Sequence, residues 1–125
     1  MPLRIVHVAV ALLFFAAAAL HRGDPEGLRW MIIYGLAGIA ALRVAGGRSA
    51  WYLAGAVGAV ALGWGIVWFP RVLELRPPIA AILDWHSTAP GAKEGRETLG
   101  LLAVVVWMTV IAVMQRPRAS AADRR

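Results

Sequence analysis

Four apolar runs, each close to the length that crosses a lipid bilayer, constrain this chain more than any other feature. They lie at about 5–20, 28–44, 50–69 and 92–115, and most of the charged residues fall in the connections and the tail. A hydrocarbon core about 30 Å thick is spanned by roughly 20 apolar residues in helical form. Only helices satisfy their own backbone hydrogen bonds within a single span, so each run is expected to be an α-helix. With 60% hydrophobic and 16% charged residues among 125, too little polar surface exists to clothe a soluble domain of this size. The expected fold is all-α: an integral membrane four-helix bundle forming one domain over 1–115. A basic, Ala-rich tail over 116–125 is expected to be disordered.

The boundaries carry local signals. The first run has Arg4 in front and Ala17-Ala18-Ala19 near its end, which resembles a signal peptide, but it is long for one and is read as a retained first helix. Asp24-Pro25 is a helix-start signature, Asp as cap and Pro at the first helical position, with Glu26 suited to the positive end of the dipole. Gly46-Gly47-Arg48 predicts a tight turn after the second span, and Pro70 is expected to end the third. Trp51, Tyr52, Trp68 and Phe69 mark the ends of that span as an aromatic belt would. In the long connection that follows, 79–85 is apolar enough for a short interfacial helix ahead of the last span. That last span is roughly 36 Å long at 1.5 Å per residue.

Cysteine is absent, which excludes disulfides, thiolate metal sites and a Cys nucleophile. The net charge of +6 comes from arginines at the ends of apolar runs, where they anchor helices beside lipid head groups; nucleic acid is not an expected partner. Four spans place both termini on one side and the first and third connections together on the other. His21, Asp24, Asp84, His86, Glu94 and Glu97 therefore share one end of the bundle. The terminus side carries Arg4, Arg43, Arg48, Arg116, Arg118, Arg124 and Arg125. The other carries Arg22, Arg29, Arg71, Arg76, Lys93 and Arg96 with every acidic residue except Asp123. This distribution points to cytoplasmic termini.

The shared end supplies the candidate polar cluster: Asp24, Glu94, Arg96, Glu97, His21 and His86. Carboxylates and imidazoles suit a divalent metal or a proton relay. The structural alternative is that Asp24 caps the second helix, that Glu94 and Glu97 complement the dipole of the last, and that the arginines pair with them. No cofactor is predicted, a divalent metal being the one candidate. His7, inside the first span, is expected to bond a neighbouring helix as a neutral imidazole. Trp64 and Trp68 share a helix face that suits packing or a lipid groove. Gly55, Ala59 and Gly63 form a small-residue stripe that admits a close helix partner.

Asp24-Pro25 leading to Trp30, Tyr34 and Gly35, combined with Glu94-Gly95-Arg96-Glu97 and Gly100-Leu101 entering the last helix, resembles the transmembrane protein 220 family over roughly 4–115. The resemblance implies a short four-helix membrane protein and no particular chemistry. No metalloprotease pattern, phosphate loop or nucleophile elbow occurs, so a non-enzymatic role is favoured. The expectation is an accessory subunit or lipid-binding membrane protein, with membrane lipids, other membrane subunits or a second copy as partners. The alternative is a small membrane enzyme or carrier that uses the acidic and histidine cluster on a hydrophobic substrate.

Overall fold

A computed structural model describes residues 2–23, 25–84 and 86–115; the tail over 116–125, Asp24 and Trp85 lie outside the described residues. Five helices follow in order: α1 (Pro2–Leu20), α2 (Gly27–Ala45), α3 (Trp51–Leu75), α4 (Ile79–Leu83) and α5 (Ala92–Met114). All but α4 are long and apolar enough to cross a membrane. Among the described residues there is no strand.

Two helical hairpins build the bundle. In the first, α1 packs along α2, with Ala11 and Phe14 against an alanine-rich face that includes Ala37 and Ala41. Gly38 lets the Phe15 ring lie where a Cβ would stand 2.7 Å from it. In the second hairpin, α3 packs along α5 through Ala54, Val57 and Ala61 against Val104, Met108 and Ile111, and Gly58 admits the Met108 Cβ. Small residues at both seams allow close approach, the packing that a bilayer demands because lipid supplies no hydrophobic drive between helices. Helix α2 joins the hairpins by touching both α3 and α5, whereas the backbones of α1 and α5 stay apart.

The outer surface is apolar throughout the spans. Leu12 and Leu13 on α1, Ile32 on α2, Val60 and Ile66 on α3, and Leu102 and Val106 on α5 all face outward. Such a surface suits hydrocarbon as its solvent. At the terminus end, Gln115 locks α5 to the α2–α3 turn. It accepts from the Ala50 amide at 2.8 Å and donates to the Arg48 carbonyl.

Several boundaries differ from the sequence reading. Pro70 does not end the third span at 69: it sits inside α3, which runs on to Leu75. Proline removes one backbone donor, and a membrane helix tolerates that loss where neighbouring groups or interfacial water meet the freed carbonyl. The stop comes instead at Arg76, held in the left-handed region at φ 46° with its amide on the Val72 carbonyl, followed by Pro77. Helix α2 begins at Gly27, not at Pro25. Glu26 stands at its cap position without capping it, its carboxylate being engaged by Arg29. Trp30 and Trp68 are not belt residues: Trp30 is 1% exposed, and Trp68 is turned inward. Gly55, Ala59 and Gly63 face outward, with open space beside both glycines, so the stripe that packs α3 on α5 is one position removed from them.

Candidate functional site

The end of the bundle opposite the termini is capped by α4. Arg96, in the second turn of α5, donates through Nη1 to the carbonyls of Ala81 (3.1 Å) and Asp84 (2.6 Å) and so holds the short helix down. Gly95 makes this possible from the other side, because Ile82 lies where a side chain would begin. The entry to α5 is equally tight. Gly91 adopts φ 81°, and a Cβ there would meet the Leu75 Cβ at 2.8 Å, so only glycine fits the turn.

At the same end of the bundle lies a cavity of about 350 Å³ lined by Ala17, Leu20 and His21 of the α1 end, Tyr34 of α2, and Lys93, Arg96 and Glu97 of α5. Glu97 is 6% exposed, a carboxylate inside the bundle. Its Oε2 accepts a 2.7 Å hydrogen bond from the Trp68 indole of α3, and its Oε1 lies 3.9 Å from the Lys93 ammonium one turn earlier. Burial of a carboxylate at this depth demands such partners. Lys93 itself is 57% exposed and stands at the rim.

The opposite wall is aromatic. The His21 ring stacks on Trp30 (centroids 5.5 Å) and on Tyr34 (5.7 Å), and Trp30 stacks on Trp64 at 4.3 Å. The Arg29 guanidinium lies over the outer face of Trp64, 5.2 Å from its centroid. Tyr34 is seated against α5 at Gly100, where an added Cβ would stand 1.8 Å from the phenol oxygen. The Tyr34 and Gly100 positions thus fit one another across the α2–α5 contact.

Of the polar residues singled out in the sequence, the structure gathers His21, Arg96 and Glu97 around one cavity. Glu94 occupies the first turn of α5, half-buried, and does not line it. His86 is exposed beyond α4, its amide on the Asp84 carboxylate. Asp24 lies outside the described residues. Among the described residues, no three His, Asp or Glu side chains converge as a metal site requires. Tyr34 and Lys93 escaped the site reading of the sequence, and Trp68 was read only as a packing or lipid-groove residue. Tyr34 carried a signal, being a hydroxyl near the middle of an otherwise apolar run. Trp68 carried only the spacing of four from Trp64, which packing explains equally well.

A second feature borders the same pair of helices. Next along the same two helices is an apolar groove of about 490 Å³, lined by Val10, Leu13 and Phe14 of α1 and by Leu99, Leu102, Ala103, Val106 and Trp107 of α5. On α1, the lining advances by helical turns from 10 to 13–14 to 17 and then 20–21. On α5 it runs the opposite way, from 106–107 through 102–103 to 96–97 and 93. Those spacings put the α1 set on one face of its helix, whereas the α5 positions wind round theirs, 97 and 106 lying on opposite sides. The two antiparallel helices thus border a polar cavity at the head and an apolar groove further along.

An outward-facing apolar surface, four spanning helices and a polar chamber under one end define a multi-pass helical membrane protein. The chain belongs to the family described as Transmembrane family 220, helix, whose model matches residues 13–113, from the middle of α1 to the end of α5. No curated protein and no solved structure matches the chain.

Proposed function

We propose that this protein binds a membrane amphiphile with an acidic head group in the cleft between α1 and α5. The observation that carries this is the succession of a polar cavity and an apolar groove along the same pair of helices. A lipid presents the same profile, a charged head followed by hydrocarbon. Lys93 at the rim and Arg96 beneath it supply two positive charges against the one carboxylate of Glu97, which favours phosphate or carboxylate over a cationic head. Glu97, fixed by Trp68, keeps the Lys93 ammonium over the chamber. The separation of the α1 and α5 backbones leaves a lateral entry from the bilayer. This role is non-enzymatic and needs no metal. The arginine distribution supports cytoplasmic termini, which would open the chamber towards the opposite leaflet.

Native mass spectrometry on the protein extracted gently from its membrane tests the reading. Acidic-lipid adducts that persist in the wild-type protein, and that weaken about tenfold in Lys93→Gln, are the expected result. Adducts with neutral and acidic lipids in proportion to their abundance would refute it. Because the chain has no cysteine, Arg48→Cys and Arg71→Cys each give a single reporter of sidedness. Labelling of Arg71→Cys by a membrane-impermeant reagent in intact cells, with Arg48→Cys silent, is expected. The reverse pattern would invert the orientation.

A further inference from the structure

The far end of the cleft holds a second polar point. His7 of α1 is 1% exposed, and its ring stands edge-on to Trp107 of α5, with centroids 5.3 Å apart. Neither imidazole nitrogen has a hydrogen-bond partner, and neither does the Trp107 indole nitrogen. Nine-tenths or more of buried polar groups are ordinarily hydrogen-bonded. Within hydrocarbon no water is at hand to meet such a donor, so leaving it unpaired is costly. Three unmet polar atoms in one ring pair therefore stand out from the rest of the interior, where the buried Glu97 is fully engaged.

Their placement is specific. Trp107 lines the apolar groove, and His7 packs edge-on against it from the facing helix. Indole is a donor only, and a neutral imidazole offers one donor and one acceptor. The pair is therefore complementary to an oxygen, either a carbonyl or a hydroxyl. Trp107 lies ten positions beyond Glu97 on α5, about 15 Å along the helix axis.

Building on the amphiphile reading above, we infer that His7 and Trp107 bind an oxygen carried within the hydrocarbon part of the ligand, about 15 Å from its head group. The ligand class is thus narrowed from any acidic lipid to one that is oxygenated deep in its chain. The head-group chamber fixes one end and the ring pair fixes the other. A plain acyl chain would satisfy the groove and leave the rings unmet.

The test uses the detergent-purified full chain and two probes. One is a saturated fatty acid. The other is its keto analogue, with the carbonyl about 15 Å from the carboxylate. The wild-type protein is expected to bind the keto probe about tenfold more tightly, the effect of one buried hydrogen bond to an otherwise unmet donor. Trp107→Phe keeps the ring and removes the donor. It should abolish the preference, read as the ratio of the two affinities in that variant. Equal wild-type affinity for the two probes would overturn the inference while leaving the amphiphile reading intact, the rings then being met by trapped water. A preference that survives in Trp107→Phe would also overturn it. If neither probe binds, the amphiphile reading falls, and this inference with it.

Discussion

Replacing Gly100 by alanine probes the contact on which the chamber depends. The added Cβ would lie 1.8 Å from the Tyr34 hydroxyl and 3.1 Å from the carbon that bears it. Real contacts of this kind stay beyond about 3 Å, so the phenol oxygen must retreat by more than 1 Å. The ring can give only towards the cavity it lines. It stacks on His21 at 5.7 Å, Trp30 at 6.1 Å and Phe14 at 6.3 Å, so its movement pushes on two helices. Overpacking of this sort costs about 1–3 kcal/mol. Against it stands the helix-propensity gain of alanine over glycine, about 1 kcal/mol. The expected net loss is about 0–2 kcal/mol, up to about a thirty-fold fall in the folded ratio, and about 1–3 kcal/mol relative to an alanine that meets no clash. Gly63→Ala is the control, because nothing lies within 4 Å of its added Cβ. It gains the propensity without the clash. Unfolding in mixed micelles, followed by tryptophan fluorescence, should place Gly100→Ala at or below wild type, and below Gly63→Ala. Combining Gly100→Ala with Tyr34→Phe removes the closest contact and should recover part of the loss. If Gly100→Ala matches Gly63→Ala in stability, Tyr34 is not wedged against α5 and the chamber wall drawn here is wrong.

Three further outcomes follow from individual contacts. Trp68→Phe removes the donor to a buried carboxylate and should destabilise the protein by about 1.5–3 kcal/mol in the same unfolding assay. The loss should be smaller in a Glu97→Gln background, where no charge is left unmet. Gly91→Ala combines a left-handed backbone with a 2.8 Å clash against Leu75. It should cost at least about 1–2 kcal/mol, with limited proteolysis showing the loosening at α4. Gly55→Leu and Gly63→Leu face open space and should leave monomer unfolding within about 0.5 kcal/mol of wild type. Any effect on these two should appear instead in co-purification of partner subunits or a second copy.

The spans were legible because their signal is long and redundant. No single residue decides whether 92–115 is a helix. The ends were less so, since each depends on one or two residues whose preference the surroundings can override. Pro70 disfavours a helix interior by removing a donor, yet α3 continues through it because the real stop, an αL Arg76 before Pro77, lies one and a half turns later. The Gly55 stripe and the true seam at Ala54, Gly58 and Ala61 are separated by a rotation of about 100° around the helix. Spacing alone gives a face, and only the partner helix decides which face is used. The cluster at one end was half legible. Topological parity brought His21, Arg96 and Glu97 to the same end, but nothing in the sequence showed that Tyr34 and Trp68 would reach into it from two other helices.

Residue size explains why the backbones of α1 and α5 stay apart while those within each hairpin close up. Where two helices touch closely, the facing positions are small: Gly38 and Ala41 beneath Phe15 and Ala11, Gly58 and Ala61 beside Met108. Small residues let backbones approach. The α1 and α5 faces that look at each other carry Phe14 and His7 on one side and Trp107, Leu99 and Val106 on the other. Those side chains prop the helices apart, and the ring pair at the bottom spans a gap that the backbones do not close. Each hairpin is tied by its own seam, and among the described residues only α2 brings the two backbones together, the His7–Trp107 ring contact bridging α1 and α5 by side chains. The opening is therefore written into the same size pattern that closes the rest of the bundle. Filling it should tighten the molecule: a ligand that bridges Lys93 to Trp107 would join the two hairpins along their one untied edge.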